Sequence, residues 1–340
     1  MHSFKNDYSE IAHPKILEFM LEKSLEKNIG YGQDKHSEKA KDYIKKHLKR
    51  EDVDIHFIPG GTHTNLLAIS SMLRPYQAVI SADTGHIHTN ETGAIEATGH
   101  KVLTSKNVDG KITIHGIQDV LNKHINEHVV MPKMVYVSNS TELGTIYNKE
   151  ELTAISKFCK ENDLILYMDG ARIGSALMSD YNDLDLNEIS KLVDAFYIGA
   201  TKNGALLGEA LIICNDKYKK DFRYMIKQKG AMLAKGFVPG IQFEILFKDN
   251  LFFELAKAAN EKAKRLANLI LNQDFELYVK VESNQVFVIF SNEIIRDMSK
   301  EFLFEDEAII DKNNSAIRFV TSWNTEEESI LALDEFLRKY

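Results

Sequence analysis

Between residues 78 and 213 short apolar runs alternate with amphipathic stretches, and this alternation constrains the fold more than any other feature of the chain. Ala78-Val79-Ile80-Ser81, Lys101-Val102-Leu103, Met134-Val135-Tyr136-Val137, Leu164-Ile165-Leu166-Tyr167-Met168 and Ala195-Phe196-Tyr197-Ile198 are too short to be helices. They also lack the polar alternation of a half-exposed strand, so they predict strands buried on both faces. The stretches between them, Gly116 to Ile125, Lys149 to Asn162 and Leu186 to Lys191, read as helices, with another near Glu91. Strand and helix in turn predict an α/β fold with a mostly parallel sheet covered on both faces. Ala210-Leu211-Ile212-Ile213 predicts one more strand, running antiparallel.

The flanks differ. Before the alternation, helices are expected over Ile16 to Lys27, Ser37 to Leu48 and Thr64 to Leu73, with a short strand at Asp54 to Ile58. After about Gly240 a long helical stretch runs from Phe243 to Asn272, with a break near Asn250. Strands are expected at Glu276–Val281, Val286–Phe290 and Ala316–Phe319, and a last helix from Glu326 to Lys339. Single cores stop growing near 250–300 residues, and the chain has 340. The expected organisation is an N-terminal arm (1–15), a large domain (16–242) and a small α+β domain (243–340).

The net charge of −8 argues against a nucleic-acid surface. No apolar stretch approaches the ~20 residues needed to cross a bilayer, so no membrane role is expected. Cys159 and Cys214 are isolated and read as reduced, buried thiols. The expected setting is cytoplasmic.

Two of the buried runs end in opposite charges, one in Asp169-Gly170-Ala171-Arg172 and the other in Thr201-Lys202-Asn203-Gly204. A lysine and a carboxylate at the carboxyl edge of a parallel sheet are what pyridoxal phosphate (PLP) needs. The lysine amine attaches the cofactor, and the carboxylate keeps the ring nitrogen protonated. Pro59-Gly60-Gly61-Thr62 lies between a strand and a helix. It reads as a phosphate cup at Gly61 and Thr62, or as an ordinary turn capped by Thr62. His86-Ile87-His88 with Glu91 is too sparse for a zinc set. His86 is better read as a ring stacked on a planar cofactor. Arg172 lies beside the expected cofactor and can clamp a carboxylate with two hydrogen bonds. Arg318, inside the apolar run Ile317-Arg318-Phe319-Val320, is a second candidate clamp, or a side chain pointing outward.

In order and spacing these blocks resemble the threonine aldolase / β-eliminating lyase family of fold-type I PLP enzymes. The resemblance rests on Gly30-Tyr31-Gly32, Gly61-Thr62 with Asn65, His86-Ile87 with Glu91 and Gly93, Asp169-Gly170-Ala171-Arg172, Thr201-Lys202, and Arg318-Phe319-Val320-Thr321. It implies that Lys202 carries PLP, Asp169 pairs with its ring nitrogen, His86 stacks on the ring, and Gly61 and Thr62 hold its phosphate. Arg172 and Arg318 would hold the α-carboxylate of an amino acid substrate, with Asn6 nearby where the family often has serine. It also implies a homodimer or homotetramer with active sites at the subunit interface.

The implied reaction is cleavage of L-threonine or L-allo-threonine to glycine and an aldehyde. One departure bears on this. The family often carries a Glu-Asn-Thr-His-Asn block, and here the stretch is Ser138-Asn139-Ser140-Thr141-Glu142. The base is therefore open among His86, His88, a water and Glu142. Another PLP reaction on the same scaffold, β-elimination, racemisation or transamination, is the alternative.

Overall fold

Each strand of the alternating region is completely or almost completely buried in the computed structural model, which describes residues 1–340. Seven strands form one sheet in the order Asp54–Ile58, Glu209–Ile213, Ala195–Gly199, Ile165–Asp169, Met131–Ser138, Gln77–Ala82, Val102–Ser105. The five from Gln77–Ala82 to Ala195–Gly199 run parallel. Glu209–Ile213 runs antiparallel to both its neighbours, as expected. One apolar core lies on each face. Both faces are covered, which is why these strands read as unbroken apolar runs.

The helices follow local chemistry. Lys149–Glu161 opens on a capping box between Asn148 and Glu151. Lys35–Leu48 is capped by Asp34, whose side chain accepts from the backbone of His36 and Ser37. The helix expected over Ile16 to Lys27 is Pro14–Glu22, closing at Lys23. The helix expected near Glu91 is two short turns, His86–Thr89 and Glu96–Thr98, with Glu91 between them. The strand expected over Glu276–Val281 is reduced to Glu276–Leu277.

A second, four-stranded antiparallel sheet is ordered Glu305–Ile309, Asn314–Val320, Gln285–Ser291, Glu276–Leu277. It has its own core, including Val286, Phe290, Phe319 and Leu333. The N-terminus joins this unit. His2–Ser3 pairs in parallel with Phe302–Leu303, and Phe4 is buried against the same core.

The helical stretch after Gly240 is two helices, Phe237–Lys248 and Leu251–Leu271, separated by Asn250 at φ 62°. The expected domain boundary at 243 falls inside the first, whose Phe243, Leu246 and Phe247 belong to the large core. The second helix bridges the two cores. Leu251, Phe252 and Leu255 pack into the large one, and Ala263, Leu266 and Ile270 into the small one. The chain thus passes between cores along a helix and not through a linker. Periodicity alone cannot locate such a crossing.

Candidate active site

Asp169 is the last residue of its strand, level with Ser138 on the adjacent one. The backbone turns away immediately after it. A Cβ at Gly170 would lie 1.8 Å from Tyr197 O, and one at Gly199 would lie 2.4 Å from Ala171 O. No side chain fits at either position, and the tight crossing brings the Asp169 and Lys202 loops together at one edge of the sheet.

Asp169 is buried and fully hydrogen-bonded. Oδ1 accepts from Tyr197 OH (2.5 Å) and Ala171 N–H (2.9 Å). Oδ2 accepts from Tyr136 OH (2.7 Å) and Asn65 Nδ2 (2.9 Å). Burial pushes this carboxyl up. The nearby His86, the tyrosine, amide and backbone donors more than offset it and hold Asp169 below the usual carboxylate range. Tyr136 has a second neighbour, Ser138 Oγ at 3.2 Å. Its hydroxyl can turn there and release one acceptor position to a ring N–H.

Lys202 lies in the turn three residues beyond the end of its strand at Gly199. Its amine makes no ion pair and lies 6.0 Å from the centroid of the Tyr8 ring. Burial, and then the charge of Arg172, lower its basicity. A desolvated, unpaired amine is the form that attacks a carbonyl. Beneath the turn sits Glu209. One of its oxygens accepts from Ala200 N–H (3.0 Å) and the other from Thr201 Oγ (2.9 Å). Burial pushes this carboxyl up to about 8.

The helix expected from Thr64 begins earlier and spans Gly61–Met72, with no side chain capping it. Thr64 N–H closes the first helical bond, to Gly60 O at 3.0 Å. The amides of Gly61, Thr62 and His63 are therefore free, and a Cβ at Gly60 would meet nothing. Thr62 is exposed in the first turn and does not act as the cap. Asn65, one turn further, ties this helix to Asp169 and also donates to Glu91 Oε1 (2.7 Å). Glu91 in turn holds His86 Nδ1 (2.8 Å) and fixes the imidazole in place. His88 is exposed on the same short turn.

The opposite wall is cationic. Arg172 donates to Asp7 through Nε (2.7 Å) and Nη2 (3.0 Å), and Asn284 donates to the same carboxylate (2.9 Å). Asp7 stays below the usual range, because Arg172 and Lys202 outweigh its burial. Arg318 has no carboxylate partner. Its Nε is buried without a hydrogen bond, and Nη1 has only Gln285 Oε1 at 3.5 Å. Burial, then Arg172, lower its pKa. Such a group is costly unless an anion arrives. Asn6 is engaged locally, accepting from Tyr8 N–H (3.0 Å) and Ser9 Oγ (2.9 Å). The N-terminal residue that reaches the arginine is its neighbour Asp7.

These residues fit PLP: a free lysine amine, a buried carboxylate able to release one acceptor position, an uncapped helix start for the phosphate, and an anchored imidazole. Asp7, Asn284, Tyr136, Tyr197 and Glu209 were not singled out from the sequence. Glu209 was within reach of the argument applied to Arg318. It is a charge opening an otherwise apolar strand, and such a charge is rarely buried without partners. The others become visible only when distant segments meet.

Residues 12–293 match the family model described as beta-eliminating lyase. A low specificity L-threonine aldolase from Pseudomonas sp. (strain NCIMB 10558) is 34% identical over 315 residues, covering 91% of this chain and 89% of that protein. The low specificity L-threonine aldolase of Pseudomonas aeruginosa is 32% identical over 342 residues, covering 98% and 96%. The structure of Leishmania major threonine aldolase superposes with a TM-score of 0.98 at 48% identity, covering 100% of this chain and 99% of that one. The structure of a putative L-allo-threonine aldolase from Listeria monocytogenes (TM-score 0.76, 20% identity, covering 99% and 96%) shares the fold.

Proposed function

The chain belongs to the beta-eliminating lyase family, and from that premise we propose that it is a PLP-dependent aldolase. Its reaction is cleavage of L-threonine or L-allo-threonine to glycine and acetaldehyde. The observation that carries this reading is a free Lys202 amine and an unpartnered Arg318, both within electrostatic reach of Arg172 and Asp7. The first meets a cofactor aldehyde, and the second meets a substrate carboxylate.

When bound, PLP supplies an electron sink for the carbon–carbon bond that breaks. The protein supplies position and charge. Lys202 would hold the cofactor, and Asp169 would accept from its ring nitrogen. The free amides of Gly61 and Thr62 would bind its phosphate, and His86, braced by Glu91, would pack against it. Arg172, aimed by Asp7 and Asn284, and Arg318 bind the α-carboxylate from two sides. Two clamps on one carboxylate fix the rotation about the Cα–N bond. They would thereby select which bond at Cα is placed to break. In an aldolase that bond is Cα–Cβ.

The reading extends to assembly. Exposed Leu17, Leu21, Leu25, Ile29 and Tyr31 form an apolar N-terminal segment, which supports a homodimer or homotetramer with sites at the interface. The free, buried Cys159 and Cys214 support a cytoplasmic setting, and no helix is long and apolar enough to cross a membrane.

The test is incubation of the PLP-loaded protein with L-threonine and with L-allo-threonine, measuring aldehyde and glycine together. Equimolar release of both products is expected. Pyruvate and ammonia from L-serine, without aldehyde from either substrate, would replace the reading with β-elimination. Thr141 gives that alternative its weight. It stands where the family often has histidine, and its hydroxyl is buried against Thr145 (2.7 Å).

A further inference from the structure

Aldol cleavage needs a base at the β-hydroxyl, and the carboxylates around the site differ in one respect that decides among them. Asp169 has four donors on its two oxygens. Asp7 is held by Arg172 and Asn284. Glu209 lies under the lysine turn with both oxygens bonded. Glu91 sits behind His86, its side chain wholly buried. Each already has a structural task, and none has an unbonded oxygen open to solvent: the unbonded Oε2 of Glu91 is sealed in the interior.

Glu142 is different. It follows the strand that ends level with Asp169, and the chain folds back so that its carboxylate returns to the sheet edge. Oε1 accepts from Ser138 Oγ (2.6 Å) and from His86 N–H (2.9 Å). Oε2 has no hydrogen bond and is not sealed from solvent, and the residue is half-buried. One oxygen is therefore anchored to both flanks of the site, to the strand end beside Asp169 and to the turn that carries His86, while the other stays open. The sequence shift has the same sense. In Ser138-Asn139-Ser140-Thr141-Glu142 there is no histidine, and Ser138 donates to a carboxylate delivered from four residues downstream.

We propose that Glu142 is the catalytic base of this site: its Oε2 takes the proton of the substrate's β-hydroxyl as the Cα–Cβ bond breaks. The O–H electron pair becomes the second bond of the aldehyde C=O. The pair of the Cα–Cβ bond stays with Cα until a proton from solvent returns there and glycine is complete. Glu142 passes its own proton to solvent before the next turnover.

The surroundings suit that role. The titratable and charged groups facing Glu142 are Asp169, His86, Tyr136, Tyr147 and Arg172. Burial, opposed by the Ser138 hydrogen bond and reinforced by the like charge of Asp169, raises this carboxyl above its ordinary range. A more basic carboxylate is a better proton acceptor near neutral pH.

The proposal rests on the aldolase reading, and its test separates the two. PLP-loaded wild-type protein and Glu142→Gln are compared in cleavage of L-threonine and in exchange of the glycine α-proton with D2O, which involves no β-hydroxyl. The glycine-induced change in cofactor absorbance is followed in both. Glu142→Gln is expected to lose at least about 100-fold in cleavage, the scale of a general base. Glycine exchange and the absorbance change should stay close to wild type, and Glu142→Asp should recover part of the cleavage. Wild-type cleavage by Glu142→Gln would overturn the proposal and leave His86 Nε2 as the acceptor. So would parallel loss of cleavage and exchange, which would mark a positioning role. No aldehyde from the wild-type protein would overturn the aldolase reading itself, and this proposal with it.

Discussion

The two walls of the cleft are built in opposite ways. The cofactor wall comes from strand ends of one sheet and the helix that follows Gly60, and its central carboxylate is fully hydrogen-bonded. The substrate wall is assembled from three remote segments. Asp7 comes from the N-terminus, Arg172 from the large domain, and Asn284 and Arg318 from the small one. It keeps a guanidinium Nε buried without a partner. The carboxylate of the first wall is satisfied by neighbouring side chains, whereas the guanidinium of the second keeps a buried donor open to an anion. Rigid placement suits a resident group, whereas an unsatisfied buried donor is a binding force held for a ligand that comes and goes.

That contrast can be broken most sharply at the cofactor wall. Lys202→Ala should abolish aldehyde formation and the absorbance of lysine-bound cofactor, while circular dichroism and thermal unfolding still report a folded chain. Measurable steady-state turnover in that variant would remove the lysine from its role.

At the substrate wall the expected loss is smaller and differently distributed. Arg318→Leu should raise KM for L-threonine and cut kcat/KM by roughly 10- to 100-fold, following the ~1.5–3 kcal/mol of a charged hydrogen bond. Cofactor absorbance should not change. The apo protein should be at least as stable as wild type, because an unpaired buried charge has gone. A lost cofactor band would show that the two walls are not independent.

The effect that touches turnover least lies beneath the lysine turn, in stability. Glu209 sits at about 8, above an ordinary glutamate at 4.5. A carboxyl whose pKa is raised by folding contributes stability below its unfolded pKa and loses it as pH climbs through the folded value. Urea titrations of the wild type should therefore show stability falling between about pH 4.5 and 8, by on the order of a few kcal/mol. Glu209→Gln should flatten that slope. An unchanged slope would place the titration elsewhere.

The same division runs through what could be read from the residues in order. The cofactor wall was legible because its parts sit at the ends of elements that announce themselves. Asp169 and Lys202 close apolar runs, and Gly60-Gly61 opens a helix. Even there the register was off by a turn. The helix starts at Gly61 and not at Thr64, because an uncapped start carries no capping signal. The substrate wall was half legible. Arg318 stood out as a charge in an apolar run and Arg172 by its place three residues after Asp169, but the partner of Arg172 was not identified. Asn6 drew attention, whereas Asp7 makes the contact. Nothing local separates two polar neighbours in an arm until the arm has a place to lie.

The linear sequence by itself determined the alternating α/β architecture, the buried parallel strands and the carboxylate and amine at their ends. These depend on period, length and termination within some ten residues, and burial on both faces enforces them. Only the tertiary structure decided that residues 2–4 complete the small domain, that the cores meet along Leu251–Leu271, and that Asp7 aims Arg172. It alone showed Glu142 folding back between Ser138 and His86 with one oxygen open. Those are contacts across long chain separations, set by how layers pack, and no local pattern encodes them.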